Sequence, residues 1–199
     1  VLVEAADHRV DSQDEIAVFF LQLLQPIPGR HRAVPVAGHA ADIIVFLTDA
    51  VLDQGRRLQS ELGRAPRILE FGVGAGTLSI TVKLAQPDWR VTGLDVDAVA
   101  LTLATENAAL HDVALELVES SYLDAWPPDS AAPDLIFGDP PWGTGSDLYD
   151  SFRDEHYYQQ MPAASAFPPG GQRSAIHDEL IRRVVARGWS SLLVLNYGT

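Results

Sequence analysis

Apolar residues follow one rhythm up to about residue 64 and another beyond it. In the first stretch the rhythm is helical. Ser12 and Glu15 have the spacing of a capping box, in which each side chain satisfies an unpaired amide at a helix start. Ile16, Phe19, Phe20, Leu23 and Leu24 then share one helical face, and Pro26, Pro28 and Gly29 stop the helix. A second helical run covers residues 39–62, with Ile43, Leu47, Val51, Leu58 and Leu62 among its apolar positions; Gly63 and Pro66 end it. From Arg67 onward short apolar runs alternate with helical ones. Strands are predicted at 67–72, 90–95, 115–119, 134–138 and 191–196, and helices at 77–85, 97–110 and 174–187. Strands separated by helices pair in parallel through right-handed crossovers, so the pattern predicts a three-layer, doubly wound α/β sheet. Residues 1–63 form a helical segment and 64–199 the α/β domain. The helical segment reads as a cap over a site, a dimer surface, or a helical pair on the domain edge. Residues 161–171, rich in Pro, Ala and Gly, read as a loop.

Composition narrows the chemistry. Of 199 residues 47% are hydrophobic and 21% charged, an ordinary globular balance. The chain has no cysteine, which excludes a disulfide framework, a thiolate zinc site and a cysteine nucleophile. No stretch reaches the roughly 18 consecutive apolar residues of a membrane helix, and no basic-then-apolar leader opens the chain, so a cytoplasmic, non-membrane protein is expected. The chain begins at Val1 and stops at Thr199, and both ends read as cut or processed. Its 27 acids against 14 bases give a net charge of −13, which works against a phosphate-backbone partner. The small basic groups Arg30-His31-Arg32, Arg56-Arg57 and Arg182-Arg183 read as solvated helix faces. Six histidines show no pair at metal-ligand spacing, so no metal is expected.

Three local signals carry chemistry. The turn Glu70-Phe71-Gly72-Val73-Gly74-Ala75-Gly76 joins the first sheet strand to a helix, and its glycines let a ligand approach bare backbone. Compared with the dinucleotide pattern G-x-G-x-x-G, the third glycine comes one position early and an acid precedes the first. Glu70 would repel a pyrophosphate and suits a cationic, amino-acid-like end. Asp95 closes the next strand, where a carboxylate can accept hydrogen bonds from two ribose hydroxyls; alternatively it caps the following helix. The third signal is Gly138-Asp139-Pro140-Pro141-Trp142. Two prolines make the turn rigid. Asp139 and the Pro140 carbonyl can accept both N–H groups of one planar amino group, and Trp142 offers it a flat face. Such a nitrogen has a delocalised lone pair and is a poor nucleophile. Holding both hydrogens favours the pyramidal geometry in which the lone pair can attack a methyl group. The plainer reading is a rigid turn without chemistry.

Residues 68–76 and Gly93-Leu94-Asp95 resemble the first and second motifs of class I S-adenosylmethionine-dependent methyltransferases. The resemblance implies a Rossmann-like sheet, S-adenosyl-L-methionine as cofactor and S-adenosyl-L-homocysteine as product. It implies that Glu70, Gly72, Gly74 and Gly76 border the methionine part, that Asp95 holds the ribose, and that Ser121 or Tyr122 meets the adenine, with Asp139 beside the cofactor. The family's sheet ends in an antiparallel edge hairpin that is missing before Thr199. That implies truncation, or a partner chain on the open edge, as in a homodimer.

Together with Asp-Pro-Pro-Trp, the pattern is similar to amino methyltransferases bearing an (Asn/Asp)-Pro-Pro-aromatic motif. The order of elements resembles the HemK-like protein glutamine methyltransferases, including the 163–171 stretch before a helix carrying Ile176, Leu180 and Ile181. Asp139 and Trp142 depart from that branch's usual Asn and Tyr and are commoner in adenine enzymes, and the helical segment is shorter than the branch's full amino-terminal domain. The acidic charge favours a protein amide or a small-molecule amine over a polynucleotide. The expected function is therefore methyl transfer to a planar amide or amino nitrogen, HemK-like, with Asp139, Pro140 and Trp142 catalytic and Pro141, Trp142, Tyr149 and Phe167 on the substrate side. Adenine N6 methylation, small-molecule N-methylation and a non-catalytic cofactor-binding module stay open. The aromatic loop 142–167 reads equally as a lid or as apolar filling, and His156 as a base or a bystander.

Overall fold

The computed structural model describes residues 38–140 and 175–196. The expected first helix and the loop carrying Pro141, Trp142, Tyr149, His156 and Phe167 lie outside the described residues. In chain order the elements are α1 (Gly38–Leu62), β1 (Arg67–Phe71), α2 (Thr77–Ala85), β2 (Arg90–Asp95), α3 (Ala98–Leu110), β3 (Glu116–Glu119), β4 (Leu135–Gly138), α4 (Ala175–Ala186) and β5 (Leu192–Leu195). Each matches a run anticipated from the pattern, with ends shifted by at most one residue.

The five strands form one sheet in the order β3-β2-β1-β4-β5, and all four pairings are parallel. Glu70 of β1 lies opposite Gly93 of β2 on one side and Phe137 of β4 on the other. Both sheet faces are covered, which is why the central strands are rich in apolar residues, unbroken in β4. Alternation along β1 sends Ile68 and Leu69 to opposite layers. Ile68 packs with Leu47, Val51 and Leu52 of α1 and Leu78 and Val82 of α2. Leu69 packs with Leu94, Ile136, Leu123 and, from α4, Leu180 and Val184. Each fully buried Leu or Ile contributes about 1.5–3 kcal/mol, so these two layers hold the short helices in place better than helix propensity would.

Gly63, with a φ of +64°, lies between α1 and β1. The α1 helix shares the core of the sheet's first face. Trp89 fixes it further: the indole is buried, and its Nε1–H donates to Gln59 Oε1 at 2.7 Å. At the start of β4, Asp134 ties the strands together. It accepts from Arg67 N at 2.7 Å, from Arg64 Nη1 and Nη2 at 2.8 and 2.9 Å, and from Arg67 Nη2 at 3.0 Å. Burial alone would raise the Asp134 pKa, but the hydrogen bonds from the two arginines outweigh it and hold the carboxyl well below its usual range. This pin sets the register of β1 against β4 and hence the positions of the turns at their other ends.

Candidate active site

The chain runs outward from β1 through β2 to β3, then returns to lay β4 and β5 on the other side of β1. In such sheets ligands bind outside the carboxyl ends of the strands where the order reverses. Here that point lies between β1 and β4, and both turns singled out in the sequence leave from it. The two strand ends touch: a Cβ at Gly138 would overlap the Phe71 carbonyl oxygen.

The glycine turn is laid across the end of β2. Gly72 N and Val73 N both donate to Leu94 O at 2.9 Å, and Gly74 N donates to Asp95 Oδ2 at 2.7 Å. Gly72 and Gly74 have φ of +74° and +52°, and nothing lies within 4 Å of where their side chains would begin. Bare backbone therefore faces open space. Asn107 of α3 steadies the far side, its Nδ2 donating to Ala75 O at 2.9 Å.

Gly76 stands at the N-cap of α2 without a side chain to do the capping. Glu70 does it from below. Its side chain is only 2% exposed, and its Oε2 accepts from Ser79 N at 3.0 Å and from the Ser79 hydroxyl. Burial pushes the Glu70 pKa up to about 8; the Ser79 bonds oppose this, and the charges of Asp95 and Asp139 add to it. The structure thus places Glu70 beneath the turn. Asp95 is half-buried, and its Oδ1 accepts from Asp97 N at 2.9 Å. Capping of α3 belongs to Asp97, whose Oδ1 accepts from Val99 N at 2.9 Å. Asp95 instead joins the glycine turn to the end of β2.

On the other side of the switch point Asp139 is exposed and Pro140 buried. Asn196, just past β5, donates from Nδ2 to Asp139 Oδ1 at 2.8 Å. Beyond β3, Ser120 N donates to Asp95 O at 2.7 Å, which brings the Ser121–Tyr122 corner to the same end of the sheet. Ser121 is exposed. Tyr122 has a φ of +53°, held by the Ser120 hydroxyl, which donates to Tyr122 O at 3.0 Å and accepts from Ala125 N at 3.1 Å. The Tyr122 ring turns toward Phe71, stacked at 5.5 Å, and toward the Arg183 guanidinium, 4.5 Å from its centroid.

Gly72, Gly74, Asp95, Ser121, Asp139 and Pro140 thus share one end of the sheet, with Glu70 and Gly76 supporting it. Among the described residues, no lysine or arginine hydrogen-bonds to Glu70, Asp95 or Asp139. Asp95 and Asp139, with no cation bonded to them among the described residues, suit a positively charged ligand and repel a diphosphate, while buried Glu70 keeps its proton up to about 8. Also among the described residues, no group of three His, Cys, Asp or Glu is arranged to hold a metal ion, and no helix is long and apolar enough to cross a membrane. Sequence reasoning missed Ser79, Asn107 and Asn196. Each is a polar residue within or just past a regular element, and its significance depends on knowing which strand lies beside which.

A release factor glutamine methyltransferase of Lactococcus lactis subsp. lactis (strain IL1403) is 36% identical over 84 residues, covering 42% of this chain and 30% of that protein. A ribosomal RNA small subunit methyltransferase C of Pseudomonas putida (strain W619) is 39% identical over 97 residues, covering 47% of this chain and 28% of that protein. The chain thus spans under a third of the length of these curated relatives. Among solved structures, a Pyrococcus abyssi tRNA (uracil-54, C5)-methyltransferase in complex with S-adenosyl-L-homocysteine aligns with a TM-score of 0.39 and 22% identity, covering 49% of this chain and 22% of that one. The family model described as the methyltransferase small domain matches residues 43–162, a span that begins inside α1 and takes in both turns at the switch point. The chain belongs to the methyltransferase small domain family.

Proposed function

We propose that this chain is an S-adenosylmethionine-dependent N-methyltransferase whose acceptor is a planar amide, in the manner of its glutamine-methyltransferase relatives. The observation that carries the proposal is the meeting of the β1 and β4 exits at one switch point, where Asp95 and Asp139 stand without a basic partner among the described residues.

The groups present fit S-adenosylmethionine. Asp95 keeps lone pairs beyond those used by Gly74 and Asp97, and these would take the ribose hydroxyls. Gly72 and Gly74 leave room for the methionine part; Gly76, where a Cβ would press on Ala104, instead lets the helices pack closely, and Glu70 supports the turn from beneath. The exposed Ser121 hydroxyl is the better candidate for the adenine edge, since the Tyr122 ring is already engaged by Phe71 and Arg183. When bound, the cofactor supplies an electrophilic methyl group on a sulfonium. Asp139 and the Pro140 carbonyl then accept the two N–H groups of the acceptor and aim its lone pair, and Asp139 takes the proton released after transfer. Alignment of this kind can lower a barrier by as much as about 7–11 kcal/mol. On the sequence reading, Trp142, Pro141, Tyr149 and Phe167 are assigned to the substrate side. The net charge of −13 favours a protein acceptor over RNA. A second acceptor class, ribosomal RNA, is favoured by the similarity to the Pseudomonas putida enzyme. Homodimerisation through the β5 edge belongs to the same proposal and is tested by sedimentation.

Calorimetry with S-adenosylmethionine and S-adenosylhomocysteine tests the pocket. A transfer assay offered a bacterial release factor, a small-subunit rRNA fragment, an adenine oligonucleotide and small amines tests the acceptor. Methylation of the release factor, lost in Asp139→Ala while cofactor binding persists, supports the proposal. Binding without transfer to any of the four points to a non-catalytic module, and full activity in Asp139→Ala refutes the role given to that residue.

A further inference from the structure

We infer that Asn196 is a positioning residue for Asp139: it holds one carboxylate oxygen so that the other is presented to the acceptor nitrogen. The inference rests on the proposed role of Asp139. As an exposed side chain at the end of β4, an unheld Asp139 would sample several rotamers, and only some would aim an oxygen at the acceptor.

The backbone of Asn196 is fixed at two points. Its N–H donates to Gly138 O at 3.1 Å, which extends the β4–β5 pairing by one step. Its carbonyl lies 2.7 Å from Nε2 of His177, a buried residue of α4. A carbonyl can only accept, so His177 carries its proton on Nε2 and donates it. Sheet and helix both hold the main chain, and the Asn196 Nδ2 donates to Asp139 Oδ1 at 2.8 Å.

The residue type matters as much as the contact. A lysine or arginine at this position would also orient the carboxylate, but its charge would cancel part of the negative field of Asp95 and Asp139. That field is what favours a cationic ligand. A neutral amide fixes the rotamer and leaves the charge in place.

The test uses the 199-residue chain, with S-adenosylhomocysteine as binding probe and a bacterial release factor or a small-subunit rRNA fragment as acceptor. Asn196→Leu removes the donor; Asn196→Ser is the second variant should the first fail to fold. Misplacing a reacting group by about 1 Å can cost about 100-fold, so kcat is expected to fall by about 30- to 100-fold while acceptor KM and S-adenosylhomocysteine affinity stay within about twofold. Independently of activity, the ¹⁵N side-chain amide resonance of Asn196 is expected to move in Asp139→Ala. Wild-type kcat in the variant, an equal loss of kcat and cofactor affinity, or an unmoved resonance overturns the inference and leaves the proposed function standing. A wild-type chain that binds no S-adenosylhomocysteine and methylates neither acceptor overturns the proposed function and this inference with it.

Discussion

Replacing Glu70 by Gln removes one buried ionisable group and changes almost nothing else in shape. An amide oxygen can still accept from Ser79 N and from its hydroxyl, so α2 keeps its cap. What disappears is the titration. In the unfolded chain the carboxyl loses its proton near 4.5, whereas in the native state burial holds the proton until about 8. Between those values the native protein binds a proton that the unfolded chain has released. The stabilisation from this group is thus complete below 4.5 and is lost as pH rises through about 8. At about 1.4 kcal/mol per pH unit the loss has a ceiling of ~5 kcal/mol. Glu70→Gln carries no such dependence. Urea unfolding of both proteins from about pH 5 to about pH 9 should show the variant gaining several kcal/mol on the wild type across the series. A gap constant to within about 0.5 kcal/mol would refute the protonated, buried Glu70. A cationic ligand beside this carboxyl should also expel its proton, so calorimetry near pH 7 in buffers of different ionisation enthalpy should detect proton release on cofactor binding.

Other substitutions separate support from chemistry. Gly138→Ala drives a methyl group into the Phe71 carbonyl, a backbone atom that cannot swing aside, and should cost about 1–3 kcal/mol together with cofactor affinity; a melting temperature equal to wild type would contradict the close approach. Asp134→Asn should cost about 2 kcal/mol at neutral pH by weakening the bonds to Arg64 and Arg67. Because the Asp134 pKa is depressed on folding, that stability is present above about 3.8 and lost as pH falls below it, so wild type and variant should converge in acid unfolding while cofactor affinity at the other end of the sheet is unchanged. Asp95→Asn keeps an acceptor for Gly74 N but turns its NH2 toward the Asp97 N–H and loses the charge, and should weaken S-adenosylhomocysteine about tenfold or more; equal affinity would remove Asp95 from the ribose site.

Much of this architecture is legible in the sequence. The apolar runs at β1, β2 and β4 are buried on both faces, and a run of that kind with a glycine turn or a proline turn behind it leaves little choice of element. The α2 and β2 boundaries coincide with the anticipated ones because Gly76, Gln86 and Asp95 punctuate them. Glu70 shows where local reading stops. In sequence it is an acid before a glycine turn and suggests a ligand contact. In space it lies on the inner side of β1, and α2 needs a cap that Gly76 cannot supply. Asn196 was invisible for another reason: it lies 57 residues from Asp139, and only the adjacency of β4 and β5 makes the two partners. Tyr122 likewise looked available to a base until Phe71 and Arg183, from the same side of the sheet, were found against its ring.

A crystal structure of the chain with S-adenosylhomocysteine puts the shared site to the most direct test. The sulfur should sit between the Gly74 turn and Asp139, with the ribose hydroxyls on Asp95. A ligand seated elsewhere on the sheet, or one that leaves Asp95 and Asp139 on separate surfaces from the sulfur, would contradict the shared site from which the function is drawn.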